Sequence, residues 1–270
     1  MTKHTYNLQT FYNEDAISYY LLGAFITDGC IYVRKTRPNT KIVSISSADR
    51  DWMEIINRYI SPNKPILITK ENCFTLQLSS TELANWLELN GCYPRKSLTV
   101  KFPIIPEQYL IDFIRGCWDG DGSLSFTKSG NGGKNYQSQG NLTSGSLAFC
   151  QAMRDHLIKL NIACKIYKHG RSERLIDGRS LKPSNAWRVV ISSGLDVYKL
   201  VKLIYERPII VMPRKANVAN LIISHHEKKF FCIKCGGELL ILANGYKKQY
   251  CNQCLRLHRN ERQRELYNAK

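Results

Sequence analysis

The chain has little acid. Its 22 Asp and Glu stand against 39 Lys and Arg, a formal charge of +17 over 270 residues. That imbalance speaks against an enzyme of small metabolites. It favours a polyanionic partner, nucleic acid first and an anionic membrane surface second. Long apolar runs are also missing: none approaches the roughly 20 residues that a membrane span requires. The opening residues, MTKHTYNLQTFYNED, are polar and lack the apolar centre of a secretory leader, so an intracellular protein is expected. Apolar residues themselves are plentiful. At 43% the chain can bury a core, which excludes global disorder, and its length fits one large or two modest domains.

The chain repeats itself. Residues 21–29 read LLGAFITDG and residues 114–122 read IRGCWDGDG. Gly23 aligns with Gly116, Thr27 with Gly120, Asp28 with Asp121 and Gly29 with Gly122, 93 residues apart. Before the first copy, Asn13, Glu14 and Asp15 carry the signal of a helix start; before the second, Pro106 and Glu107 do. Each copy predicts a helix of about 14 residues ending at a glycine suited to the position after the cap. Paired strand-like runs follow, CIYVRK with KIVSISS and SLSFTK with QGNLTS. A helix, two more strands and a closing helix complete each half. The expected order is helix-strand-strand-helix-strand-strand-helix, twice, an α+β arrangement of two αββαββα halves over 1–105 and 106–226.

Small residues four apart share one helix face. Gly23 with Thr27, and Gly116 with Gly120, would let two helix backbones approach closely. If the duplicated helices pack together, their ends bring Asp28 and Asp121 to one place. Two carboxylates and two negative helix ends repel. A divalent cation relieves that, and Mg²⁺ favours few carboxylates plus water and phosphate oxygens. Asp119 has no partner in the first copy, where Ile26 stands. It points about 200° away from Asp121 on an ideal helix, so it is read as structural or solvent-facing.

These two segments resemble the paired signature of LAGLIDADG homing endonucleases in their single-chain, two-repeat form, over about residues 10–225. The first copy departs from the signature at Ile26. The resemblance implies two curved antiparallel sheets forming a saddle over double-stranded DNA, about a pseudo-dyad. It implies a staggered double-strand break with short 3′ overhangs, made by a monomer wherever the target DNA resides: a bacterial or phage-infected cytoplasm, or an organelle. It implies that Asp28 and Asp121, with the backbone beside Gly29 and Gly122, hold Mg²⁺ or Mn²⁺ for phosphodiester hydrolysis. A second internal match, PRK at 94–96 and 213–215, carries the family's lysine near the scissile phosphate onto Lys96 and Lys215. Ser46 and Thr143, near the ends of the second strands, fall where the family places water-organising groups. Other family members bind host intron RNA as maturases, and a non-cleaving DNA-binding regulator on the same scaffold is a further alternative. An intein is not expected, because Met1 is no splicing residue and the chain ends Tyr-Asn-Ala-Lys.

The strands after each motif are rich in residues suited to phosphates and base edges. In the first half these are Tyr32, Arg34, Lys35, Arg37, Lys41 and Lys70. In the second they are Lys128, Lys134, Asn135, Gln137, Gln139, Lys165, Tyr167, His169, Arg171, Arg174 and Arg188.

Of ten cysteines, six are scattered and read as buried reduced thiols. Four form two C-x₂-C pairs separated by fifteen residues: Cys232, Cys235, Cys251 and Cys254. That spacing predicts a four-thiolate Zn²⁺ site in a zinc-ribbon-like module over 227–270, with Gly236 and Gly237 permitting the tight turn. From Lys228 onward there are ten Lys and Arg against three Glu, so the module is expected to add DNA contacts. The final HRNERQRELYNAK reads as a charged helix or a frayed tail.

Overall fold

The computed structural model describes residues 6–68, 73–128, 136–171, 174–176, 179–181, 184–227, 230–239 and 249–268. A short helix α1 (Gln9–Tyr12) leads into α2 (Ala16–Asp28). Asp15 caps α2: its side chain accepts from Ile17 and Ser18 N–H, and Ser18 Oγ answers to Asp15 N–H. Nine consecutive residues of α2, Ser18 to Ile26, are buried. A helix apolar on every side belongs at a centre. Strands β1 (Gly29–Arg34) and β2 (Arg37–Ser47), helix α3 (Arg50–Ile60), strands β3 (Leu67–Ile68) and β4 (Phe74–Ser79), and helix α4 (Thr81–Leu89) complete the first half. A single 3₁₀ turn at Lys96–Leu98 follows.

The second half repeats the plan: α5 (Leu110–Asp121), β5 (Gly122–Lys128), β6 (Tyr136–Ser144), α6 (Leu147–Lys159), β7 (Lys165–Arg171), then β10 (Ser184–Ile191) and α7 (Gly194–Tyr205). A two-stranded hairpin of β8 (Arg174–Ile176) and β9 (Arg179–Leu181) is inserted between β7 and β10. Helix α8 (Pro213–His226) follows. The C-terminal segment adds β11 (Phe230–Phe231), β12 (Glu238–Leu239) and α9 (Asn252–Asn268), so the charged tail is a helix.

Each half holds a four-stranded antiparallel sheet, in the orders β1-β2-β4-β3 and β5-β6-β10-β7. The registers match across the repeat. Gly29 pairs with Ile45, and Gly122 pairs with Leu142. The α+β class and the doubled αββαββα order therefore stand as expected. Helix α1, the β8–β9 hairpin and α8 are additions to it.

The two motif helices pack backbone to backbone. A Cβ at Gly23 would collide with Phe113 O and lie 2.8 Å from Cys117 N. A Cβ at Gly116 would collide with Tyr20 O and lie 3.1 Å from Ala24 N. The seam is thus made by glycine at both contact points. One core cluster spans it, with Tyr20, Phe25, Trp52, Phe113, Trp118 and Phe149 fully or nearly fully buried.

The glycines after each helix differ from expectation. Gly29 (φ −80°, ψ 150°) and Gly122 (φ −79°, ψ 157°) are extended, not left-handed. Glycine is required there for space. The chain turns from helix directly into strand, and a Cβ would strike Phe25 O or Trp118 O.

Gly116→Ala forces the helices apart or distorts them, because the obstructing atoms are backbone. The expected loss is about 3 kcal/mol, a drop of roughly 6–12 °C in a thermal melt. A melting temperature unchanged from wild type would contradict the seam.

Candidate active site

Helices α2 and α5 end side by side. A Cβ at Gly120 would collide with Thr27 Oγ1 and lie 3.0 Å from Asp28 Oδ2. The Asp28 carboxylate therefore rests over the end of α5, where Asp121 is the last helical residue. Thr27 turns its hydroxyl back into its own helix, donating to Gly23 O (3.1 Å) and Ala24 O (3.0 Å), which leaves the carboxylate side open.

The electrostatics follow from that placement. Burial pushes the Asp28 carboxyl up to about 7, and neighbouring Asp121 pushes the same way; Lys215 and Lys96 only partly offset this. Asp121 is raised too, by loss of water and against the pull of the same two lysines. A carboxylate pair held this way is short of positive charge.

Lys96 and Lys215 lie beneath the helix ends. They are 5% and 4% exposed, so neither is a solvated surface charge. Lys215 Nζ donates to Trp118 O (2.8 Å), Gly120 O (3.0 Å) and Asp119 O, the last carbonyls of α5. Lys96 Nζ donates to Gly29 O, just beyond α2. Cations belong at helix C-termini. Burial lowers the Lys215 ammonium to about 8, against the pull of Asp119, Asp28 and Asp121. The backbones that deliver the two lysines differ. Lys215 is on the first turn of α8, whereas Lys96 is on the 3₁₀ turn after Arg95, which is left-handed at φ 59°.

Asp119 is not solvent-facing: it is completely buried. It accepts hydrogen bonds from Tyr20 Oη (2.7 Å), Tyr205 Oη (2.7 Å) and Met212 N–H (2.8 Å). Trp52 Nε1 donates in turn to Tyr20 Oη (2.7 Å). The structural half of its sequence reading stands. Two other contacts were not read from the sequence. Arg214 makes a two-pronged pair with Asp49 of the first half (2.8 and 3.0 Å), and a Cβ at Gly145 of the second half would strike Ser97 O of the first. Each PRK segment thus lies against the strand-to-helix turn of the opposite half.

Ser46 and Thr143 occupy equivalent positions, each one residue beyond the partner of the motif glycine. Ser46 Oγ bonds Thr75 Oγ1 (2.9 Å), and Thr143 Oγ1 accepts from Arg188 Nε (3.4 Å).

Register sorts the remaining candidates by face. The face away from the core carries Tyr32 and Arg34 in the first sheet, with Arg34 Nη2 donating to Gln77 Oε1 (3.1 Å). In the second sheet it carries Gln137, Gln139, Lys165, Tyr167, His169 and Arg188. Arg188 Nη2 and His169 Nε2 meet at 2.8 Å, beside a cavity of about 350 Å³ also lined by Gln139, Asn141 and Tyr167. Lys35 is exposed in the β1–β2 turn. Lys41 stands apart, opposite Val33 on the helix-side face, bonded to Glu88 (2.5 Å) and Asn85 (2.9 Å). Lys128 is also on the helix side, 6.0 Å over the Tyr136 ring. Arg37, Arg171 and Arg174 lie on β2, β7 and β8. Lys70, Lys134 and Asn135 lie outside the described residues.

The four clustered cysteines converge: their sulfurs all lie within 4.8 Å of one another. Gly236 is left-handed at φ 70°, and its N–H donates to Cys232 O (2.8 Å), closing the knuckle. The Cys254 amide donates to Cys251 Sγ (3.4 Å) and helps hold that thiol below its ordinary value. Among the described residues no helix is long and apolar enough to cross a membrane.

Comparison with known proteins agrees with this geometry. Residues 108–205 match the family model described as a LAGLIDADG-like domain. The LAGLIDADG homing endonuclease I-SmaMI bound to cleaved DNA shares the fold at TM-score 0.53, with 13% identity, over 77% of this chain and 87% of that one. I-SmaMI bound to an uncleavable DNA gives TM-score 0.53 and 12% identity, over 78% and 91%. No curated protein matches the chain. The chain therefore carries a LAGLIDADG-like domain in its second half and has the two-repeat meganuclease fold, with a four-cysteine module at its end.

The raised Asp28 carboxyl sets a pH dependence. The folded chain holds that proton more tightly than the unfolded one, so the cost is absent well below pH 4 and fully present above about 7. Asp28→Asn, melted without added Mg²⁺, should stabilise the protein by roughly 2–4 kcal/mol at pH 8 and by almost nothing near pH 3. An equal shift at both pH values would contradict a carboxyl raised by burial and its neighbour.

Proposed function

We propose that this chain is a site-specific DNA endonuclease that makes a staggered double-strand break by metal-assisted phosphodiester hydrolysis. Its parts are two repeats, 1–105 and 106–226, and a basic module, 227–270. The observation that best supports this is the convergence of Asp28 and Asp121 at two abutting helix ends, with a buried lysine under each end. The carboxylate pair suits a hard divalent ion: it offers oxygen donors, is short of positive charge, and lies where phosphate oxygens could complete the shell. Asp28 and Asp121 would hold Mg²⁺ or Mn²⁺, which when bound lowers the pKa of an attacking water and stabilises the leaving oxygen.

The protein's own groups do the rest. Asp28, raised to about 7, would hold the ion in its ionised form. Lys96 and Lys215, fixed by helix-end carbonyls, place positive charge where the pentavalent phosphate develops negative charge. Ser46 and Thr143 offer hydroxyls at equivalent positions for ordering water. The polar faces of the two sheets would lie along duplex DNA, with Arg34, Gln137, Gln139, Lys165, His169 and Arg188 toward bases and phosphates. That the structures sharing this fold hold DNA supports duplex DNA as the partner. One chain supplies both centres, so the active form is a monomer.

The four-cysteine module would hold Zn²⁺ in a structural role. Four thiols within bonding reach of one ion, on two x₂ knuckles, match a closed tetrahedral site. Its small apolar cluster of Cys232, Leu239 and Cys254 is separate from the main core. So small a core leaves the metal to hold the module together.

Two expected outcomes test this. With Mg²⁺ and a randomised duplex library, wild type selects and cuts a subset with short 3′ overhangs. Asp28→Asn/Asp121→Asn binds the same subset without cutting, and Lys96→Met or Lys215→Met slows the cut about 100-fold with little change in binding. Binding without cutting by wild type would end the nuclease reading and favour a regulator or RNA partner. Elemental analysis should find one zinc per chain, lost in Cys251→Ser, with the main melting transition unmoved; zinc retained in that variant would contradict the site.

A further inference from the structure

Asp119 carries no role in the chemistry above, yet it is among the most constrained side chains of the molecule. It is completely buried, and three donors converge on its carboxylate from three elements. Tyr20 comes from α2, Tyr205 from α7, and the Met212 N–H from the residue that caps α8. All three donate here, and the Met212 N–H can do nothing else, so the position calls for an acceptor toward the start of α8. Met212 is followed at once by Pro213, Arg214 and Lys215. The carboxylate therefore fixes the start of the helix that delivers Lys215. Its own carbonyl is one of the three that Lys215 Nζ meets. Side chain and main chain of one residue thus hold both ends of the lysine's attachment.

Among the described residues no buried carboxylate anchors the segment that carries Lys96. The residue equivalent to Asp119 is Ile26, buried among apolar groups. Lys96 instead follows the left-handed Arg95 on a three-residue turn, and its Nζ meets Gly29 O. We propose that Asp119 is a positioning residue for one of the two catalytic lysines, holding the start of α8 so that Lys215, and not Lys96, stays seated against its helix end.

The test reads lysine seating directly, and only its last arm rests on the endonuclease reading. Wild type, Asp119→Ala and Asp119→Asn are pulse-labelled with an amine-acylating reagent, and labelling at Lys215 and Lys96 is followed by mass spectrometry. Asp119→Ala should label Lys215 at least about tenfold faster, the opening that loss of a hydrogen bond to a charged acceptor allows, with Lys96 unchanged. Asp119→Asn can keep its oxygen toward Met212 N–H and turn its amide to the Tyr205 hydroxyl, so its Lys215 labelling should stay within about threefold of wild type. If Asp119→Ala fails to fold, Met212→Pro removes the same hydrogen bond while leaving the carboxylate; the φ of −77° suits proline. Unchanged Lys215 labelling, or an equal rise at Lys96, overturns the proposal. On a plasmid carrying the selected site, Asp119→Ala should cut one strand at least about tenfold more slowly than the other, so nicked circles accumulate. Equal slowing of both strands would also overturn it. A wild type that cuts neither strand defeats the nuclease reading, and the labelling arm still decides the role of Asp119.

Discussion

Everything at the centre of this molecule depends on two helices touching through their backbones. Gly23 rests on the carbonyl of Phe113, and Gly116 on the carbonyl of Tyr20. No larger residue fits at either point. That contact sets the spacing of the helix ends, and the ends set the chemistry. Farther apart, Asp28 and Asp121 would be two ordinary surface carboxylates. At this spacing they share one buried edge, and burial first, with Asp121 second, drives Asp28 up to about 7. The seam is therefore both packing and electrostatics: the closeness that buries Phe113 and Trp118 also concentrates negative charge at one edge of the core.

The charge has two balancing devices. Beneath the ends, Lys96 and Lys215 neutralise the carbonyl dipoles and part of the carboxylate field. They do so at a cost, since burial draws Lys215 down to about 8. At the carboxylates the balance is incomplete, and under the proposed function that remainder is what a divalent ion would supply. A site with full internal compensation would have no affinity for a cation. A site with none would resist folding. The lysines hold the arrangement between those limits, because they satisfy backbone carbonyls and leave the carboxylate oxygens free of direct ion pairs with them.

Much of this was legible in the sequence, because it was written twice. Two glycine-and-aspartate motifs 93 residues apart fixed the helix pair, the joined ends and the strand pairs that follow. The PRK match found both lysines, although it could not tell that one rides on a 14-residue helix and the other on a single turn. What escaped lacks a repeat or a local signal. Asp119 has its partners 99, 86 and 93 residues away. Arg214 and Asp49 are 165 apart. The candidate DNA-contact set was read from residue type alone, and residue type does not carry parity. A shift of one position turns a side chain to the other face of a sheet, which is how Lys41 and Lys128 come to face helices. The register irregularity between Val33 and Arg34 adds to that uncertainty on β1.

The two metal sites proposed for the chain would follow the same logic at opposite ends of the hardness scale. Oxygen donors at the seam are few, and a hard ion held by them would take the rest of its shell from water and phosphate. Sulfur donors in the tail are four and mutually close, as a closed site would require. An open hard site suits turnover, and a closed soft site suits architecture. The pseudo-symmetry then has a clear limit. It duplicates the scaffold, the carboxylates and the lysines, but not the anchoring of the lysines. Ile26 leaves the first centre with an apolar seat where the second has a buried carboxylate gathering α2, α7 and the start of α8. A duplicated fold that has diverged at that one position has two centres built from the same parts and held with unequal firmness.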